Sequence, residues 1–182
     1  MSALPKYFMW FALASLFLLL IFSAILTIYA SQVGAPIFLS NKKIIERAFE
    51  YLKINSSSQV CDLGAGTGRV MILAKHRFGA RISGFELSPI FFVLAKLNLF
   101  LRGMRKNDLR LADFYKNDLS ENDVIFCFLS IRAMKRLKSK FEKELKSGTK
   151  IVSYAFKIPG WETMKIFEDK DSPGKVYVYE IK

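Results

Sequence analysis

Residues 60–69 read Val60-Cys61-Asp62-Leu63-Gly64-Ala65-Gly66-Thr67-Gly68-Arg69. A hydrophobic run ends in an acid and passes into three glycines within five positions. That pattern describes a buried strand turning tightly into a helix. Glycine accepts a positive φ at no steric cost and leaves the main chain open to a ligand. So far any nucleotide would fit.

Spacing narrows the choice. A dinucleotide fingerprint is GxGxxG, with pyrophosphate on the helix N-terminus. Here the pattern is DxGxGxG, and Arg69 stands where the third glycine would be needed. GxxxxGK[ST] is absent, which excludes a P-loop. An acid beside the loop repels pyrophosphate but suits the cationic amino acid end of S-adenosylmethionine. The competing reading is a tight strand–helix turn without a ligand.

Outward from the loop, strand and helix patterns alternate. QVCDLG (59–64) reads as a strand and 68–78 as a helix. ARISGFE (80–86) reads as a strand, and Ser88-Pro89 opens a helix ending near Gly103. LRLADF (109–114), DVIFCFL (123–129) and KIVSYAF (150–156) are the next strands. Between the last two lies a helix with Ile131, Met134, Leu137, Phe141 and Leu145 on one face and Gly148 as its stop. MKIF, the turn DSPG and KVYVYEI end the chain as an antiparallel hairpin. The alternation predicts an α/β fold with a mostly parallel, Rossmann-like sheet and helices on both faces.

Two more acids fall at strand ends. Glu86, eighteen residues beyond Gly68, can accept both ribose hydroxyls in a bidentate way, with Leu87 following it. Asp113, in Leu111-Ala112-Asp113-Phe114, can bond an adenine amino group with Phe114 beside the ring; a loop Asp capping a turn is the competing reading. Asp62, Gly64, Ala65, Gly66, Gly68, Glu86, Leu87, Asp113 and Phe114 thus form the candidate cofactor set. An acceptor pocket would form beyond the fourth and fifth strands, from Phe128, Leu129, Ser130, Phe156, Pro159 and Trp161. The fourth strand ends in FLS rather than [DN]PP[YFW], which argues against methylation of a nucleic acid base.

The motifs DLGAGTGR, GFELSP and DFYKNDLS, together with GAPIFLSNKKIIERAFEYLKI before them and IVSYAFKIPGW after, carry a resemblance. The segment 55–182 resembles the class I methyltransferases, and more narrowly is similar to the ATP synthase c-subunit lysine N-methyltransferases and their prokaryotic relatives. The resemblance implies a seven-stranded sheet, S-adenosyl-L-methionine as donor and a protein lysine as acceptor. On it, Asp62, Gly64, Gly66 and Gly68 match the methionine-binding loop, Glu86 the ribose acid and Asp113 the adenine-side acid. Two departures bear on the acceptor: little room for a helix between strands five and six, and LGAGTG where many relatives have a second acid.

Ahead of that domain, residues 7–30 hold no charged side chain. That length suffices to cross a bilayer core needing roughly 20 residues as a helix. A signal peptide fits less well, because its apolar region spans only ~7–15 residues. Tyr7, Trp10 and Tyr29 lie near the ends, where aromatic rings favour the interface. The expected organisation is an anchor (1–30), a connector with an amphipathic helix capped by Ser40 or Asn41 (31–54), and the catalytic domain (55–182). Gly34 and Pro36 break the connector. Lys42, Lys43 and Arg47 after the span place the domain on the cytoplasmic side, or its matrix equivalent, of a single-pass protein.

The net charge is +12. With a span present, anionic lipid accounts for it more economically than nucleic acid. Lys135, Arg136, Lys138, Lys140, Lys143 and Lys146 decorate one helix, either as a solvated face or as a lipid-docking one. Cys61 and Cys127 sit in apolar runs and read as reduced core thiols. His76 is the single histidine, and no metal site is implied. The expected partners are lipid through residues 7–30 and a membrane-protein substrate. Methylation of RNA or of a lipid-phase small molecule, and a non-catalytic cofactor-binding adaptor, are the alternatives.

Overall fold

The five strands read from the sequence as parallel are four to six residues long; the central run Val124–Cys127 is wholly apolar and buried, as a strand covered on both faces must be, whereas the edge run Asp108–Leu111 buries only Leu109. In the computed structural model, which describes residues 6–33, 41–105, 107–169 and 172–182, they are β1 (Gln59–Leu63), β2 (Arg81–Glu86), β3 (Asp108–Leu111), β4 (Val124–Cys127) and β5 (Lys150–Tyr154). β6 (Lys165–Asp169) and β7 (Ser172–Glu180) form the terminal hairpin. The seven strands lie in the order β3-β2-β1-β4-β5-β7-β6, parallel except where β7 meets β5 and β6. Strand order reverses between β1 and β4, the place where such sheets bind ligands at their carboxyl edge.

Helices α2 (Lys42–Tyr51), α3 (Arg69–Phe78) and α4 (Pro89–Leu101) cover one face, and α5 (Ile131–Glu144) the other. Asn41 caps α2 by accepting the Lys43 amide at 2.9 Å. Its turns then set Ile44, Ile45, Ala48 and Phe49 into the core, where Phe49 meets Phe78 and Phe126 edge-on. Met71 of α3 packs so closely on β2 that a Cβ at Gly84 would lie 2.9 Å from its sulfur. The two thiols, Cys61 and Cys127, are free and buried, and burial pushes both up to about 12. At neutral pH they are unreactive core side chains.

Several details differ from the sequence reading: β4 ends at Cys127 rather than Leu129, β5 at Tyr154 rather than Phe156, α5 at Glu144 short of Gly148, and β7 begins at Ser172, inside the expected DSPG turn. β3 stops at Leu111 rather than reaching Phe114, because Asp113 caps a short 3-10 turn at Phe114–Lys116. Ile131, expected on the buried face of α5, is 62% exposed, since it is the first residue of that helix and stands at the open carboxyl rim. In agreement with the expectation of little room there, residues 155–164 join β5 to β6 without a helix. Gly34, Pro36 and the alternative cap Ser40 lie outside the described residues, as does the side chain of Tyr29.

Helix α1 (Lys6–Val33) precedes all this. Over Tyr7–Ile25 it is long and apolar enough to cross a membrane, and that window is not buried by the rest of the chain.

Phe49 is the side chain through which α2 is fixed to the sheet. Phe49→Ala is expected to lower unfolding free energy by about 3–5 kcal/mol, read as a fall in denaturant midpoint at unchanged slope.

Candidate active site

The turn after β1 is built by three glycines that all have positive φ: 84° at Gly64, 55° at Gly66 and 77° at Gly68. The amides of Gly64 and Ala65 both donate to the Phe85 carbonyl at 2.9 Å, so the loop hangs from β2 as well as β1. A Cβ at Gly68 would sit in ordinary contact with Leu99 and Ala95 of α4, whereas one at Gly66 would meet nothing within 4 Å. Gly66 is therefore required for its backbone angle, and the space in front of it is open to a ligand.

Glu86, the last residue of β2, is 7% exposed. One of its oxygens accepts the Gly66 amide at 2.7 Å and the other the Ser88 amide at 2.8 Å. Burial raises its pKa, and the amides of Ser88, Gly66 and Leu87 oppose the rise. Beyond these amides the carboxylate keeps acceptor capacity that a ribose hydroxyl could use.

Asp62 is 3% exposed, and its carboxylate has no hydrogen-bond partner among the described residues. Burial first, and the nearby Glu86 charge second, push it up to about 8. A buried carboxylate without a donor is costly, and a cationic ligand group placed against it would remove that cost. The ammonium of S-adenosylmethionine is such a group, so Asp62, the loop and Glu86 could hold the methionine and ribose portions of that molecule.

Asp113 lies one strand over, beyond β3. One of its carboxylate oxygens accepts the Tyr115 amide at 2.9 Å, and its carbonyl accepts from the Asn117 side chain. It caps a turn, and its second oxygen stays available to a ligand. Phe114 is buried and tilts against Tyr115 at 4.5 Å, joining the core beneath α5. Leu87 is half-buried beside the loop.

The acceptor candidates divide. Leu129 and Ser130 follow β4 at the carboxyl rim: Leu129 packs within reach of Gly64, and Ser130 caps α5 by accepting the Ala133 amide. Phe156 follows β5 at the same rim, where its carbonyl accepts from the Ser153 hydroxyl at 2.6 Å. Phe128 stacks edge-on against Tyr154. Pro159 is half-buried in the same connection. Trp161 is elsewhere. Its indole donates to Glu142 and its ring meets Tyr179, whose strand partner is Ile151 near the start of β5. The Glu142 backbone that anchors it lies twelve helical residues, about 18 Å along α5, from Ser130.

Sequence reasoning had no signal for two features of this rim. Ala155 has φ of 69°, a left-handed residue immediately after β5 that costs about 1 kcal/mol or more for a side chain with a Cβ. Asn98 of α4 donates to the Thr67 carbonyl at 2.9 Å and braces the glycine loop from behind. A lone Asn in an apolar helix was the only trace of that brace. Among the described residues no cluster of three or more His, Cys, Asp or Glu could hold a metal ion.

Residues 62–165 match the family described as the ANTKMT methyltransferase domain. The chain belongs to that family. It is a class I, S-adenosylmethionine-dependent methyltransferase. A protein-lysine N-methyltransferase of Saccharolobus islandicus (strain REY15A) is 33% identical over 150 residues, 80% of this chain and 93% of that protein. The adenine nucleotide translocase lysine N-methyltransferase of Mus musculus is 27% identical over 152 residues, 82% of this chain but 65% of the mouse protein. Among solved structures, an RNA methyltransferase from Salinibacter ruber in complex with S-adenosyl-L-homocysteine aligns with a TM-score of 0.74 and 26% identity, covering 79% of this chain and 94% of that one. The resemblance to lysine N-methyltransferases thus leads to the expected family group, through one relative named for protein lysine in general and one named for the adenine nucleotide translocase.

The raised Asp62 pKa has a definite sign. Its protonated form is the one folding favours, so its contribution to stability is full below the unfolded value near 4 and is lost as pH rises through about 8. Binding of a cationic ligand favours the opposite, charged form. Affinity for S-adenosylmethionine is therefore expected to rise from pH 6 to about 8 in the wild type, measured by calorimetry. Asp62→Asn is expected to bind at least tenfold more weakly and to flatten that rise.

Proposed function

We propose that this methyltransferase modifies a protein lysine, with Asp62, Gly64, Ala65, Gly66, Gly68, Glu86, Leu87, Asp113 and Phe114 forming the donor site. Leu129, Ser130, Phe156 and Pro159 are proposed to shape the acceptor entrance. The single observation behind the lysine reading is the 33% identity to an archaeal protein-lysine N-methyltransferase over nearly all of that protein. The rim after β4, Phe128-Leu129-Ser130, agrees with it in lacking the polar tetrapeptide that holds a planar base nitrogen. We further propose that α1 tethers the enzyme to a membrane, with the catalytic domain on the cytoplasmic or matrix side.

When bound, the cofactor supplies an already activated methyl group on a sulfonium. Asp62 would pair with its ammonium, Glu86 would receive its ribose and the glycine loop would let it lie against the backbone. Such contacts would hold it in one orientation. Positioning alone can then supply much of the rate enhancement, because the reaction is an in-line displacement. The attacking lysine must arrive without its proton. The apolar side chains of Leu129, Phe156 and Pro159 disfavour the charged form by desolvation, which lowers an amine's pKa. A tethered enzyme meets a membrane-held acceptor at a raised effective concentration.

A second reading has its own support. The Salinibacter protein is described as an RNA methyltransferase, and a net charge of +12 suits a polyanion. Tritium transfer from labelled S-adenosylmethionine into membranes from cells lacking this chain separates the two. The expected result is a labelled protein band that disappears with Glu86→Ala, with label mapping to lysine. Label in RNA or in extracted lipid would overturn the lysine reading. Cofactor binding without transfer to any fraction would favour a non-catalytic adaptor.

A further inference from the structure

Helix α4 has two faces of opposite use. The inner one carries Ala95 and Leu99, both buried, against Gly68, with Asn98 bonded to Thr67. The outer one carries Ile90, Val93, Leu94, Leu97, Phe100 and Leu101, all exposed, including Val93 at 62% and Leu101 at 71%. Their spacing places them on one side of the helix, so they form a single apolar stripe. A stripe of that kind on a soluble enzyme would mark an interaction surface.

Three observations say what covers it. Helix α1, itself apolar and exposed along Tyr7–Ile25, touches α4, so the stripe belongs to a helix that adjoins the segment read as a membrane span. No acid occurs in α4, while Lys96, Arg102 and Arg105 sit at its flank and C-terminal end. Lys96 lies over the Phe92 ring at 5.5 Å and Arg105 over Phe100 at 5.4 Å, so both cations stay beside the apolar stripe. Apolar residues with cations at their margin are the composition of a helix lying in a membrane interface, where long basic side chains reach the headgroups.

We propose that α4 lies in the plane of an anionic membrane with Ile90, Val93, Leu94, Leu97, Phe100 and Leu101 in the acyl region, a second attachment besides α1. This rests on the reading of α1 as a tether and deepens it. The consequence is geometric. The glycine loop is braced on the inner face of α4, so the donor site stands about one helix diameter, roughly 10 Å, above the bilayer. The lysines of α5 lie on the opposite sheet face, where Lys135 and Lys143 are exposed and Lys140 is paired with Glu144. The acceptor for such a site is a lysine in the headgroup layer or just outside it, on a membrane-embedded protein.

The test uses the full chain in vesicles of phosphatidylcholine and phosphatidylglycerol, with a fluorescent label on Leu97→Cys or, as a control at an exposed loop, on Glu121→Cys. The native Cys61 and Cys127 are buried and stay unlabelled. Unchanged S-adenosylmethionine affinity checks the fold of each variant. The expected result is that nitroxide-bearing lipid reduces the Leu97 signal several-fold and leaves the Glu121 signal unchanged, while iodide in water does the reverse. Vesicle flotation with Leu97 as open to iodide as Glu121 overturns the proposal for α4 and leaves the α1 tether standing. Failure to float removes both. Shielding of Leu97 from iodide and lipid quencher alike also overturns it, since a second protein copy would then cover the stripe.

Discussion

Glu86 holds the donor site together. Its carboxylate, buried at the end of β2, accepts the Gly66 amide from the loop after β1 and the Ser88 amide at the start of α4. One side chain thus joins the glycine turn, the second strand and the helix behind them. The amides supply the hydrogen bonds that let a charge persist where burial opposes it. In the proposed donor site the same oxygens would receive the ribose, so the group that fixes the loop would also read the ligand.

Asp62 is the complementary case. It is buried more deeply and receives no such amides among the described residues, so its charge is disfavoured until a cation arrives. Two carboxylates close together, one satisfied by backbone and one not, give the site a built-in polarity. The ribose end is preorganised, and the ammonium end is completed by the ligand. Preorganisation of this kind reduces what binding must spend on ordering the protein.

The topology was legible because its signals are local and periodic. Short apolar strands separated by helical patterns imply a parallel sheet, and a hairpin turn near the end implies the antiparallel exception; β1 through β7 match that reading. The loop and Glu86 were legible because glycine at positive φ and an acid at a strand end leave few other uses. Long-range placement was not. Trp161 lies eleven residues from Lys150 in the chain yet is drawn down to Glu142 and Tyr179 by a bond and a ring contact that no local pattern encodes. Ile131 has the spacing of a core residue, but its place at the helix start exposes it. The apolar stripe on α4 was hidden for the same reason: a helix apolar all round reads as a core helix until its neighbours show that one side has no protein against it.

The central claim, that Glu86 receives the ribose hydroxyls of the cofactor, is tested most directly by a binding cycle. S-adenosylmethionine and its 2′-deoxy analogue would be titrated calorimetrically against the wild type and Glu86→Gln. The account predicts that loss of the hydroxyl weakens wild-type binding about tenfold or more, the scale of one hydrogen bond to a charged group, and weakens the variant far less. An equal loss in both proteins would contradict it, because the hydroxyl would then be held by some other group.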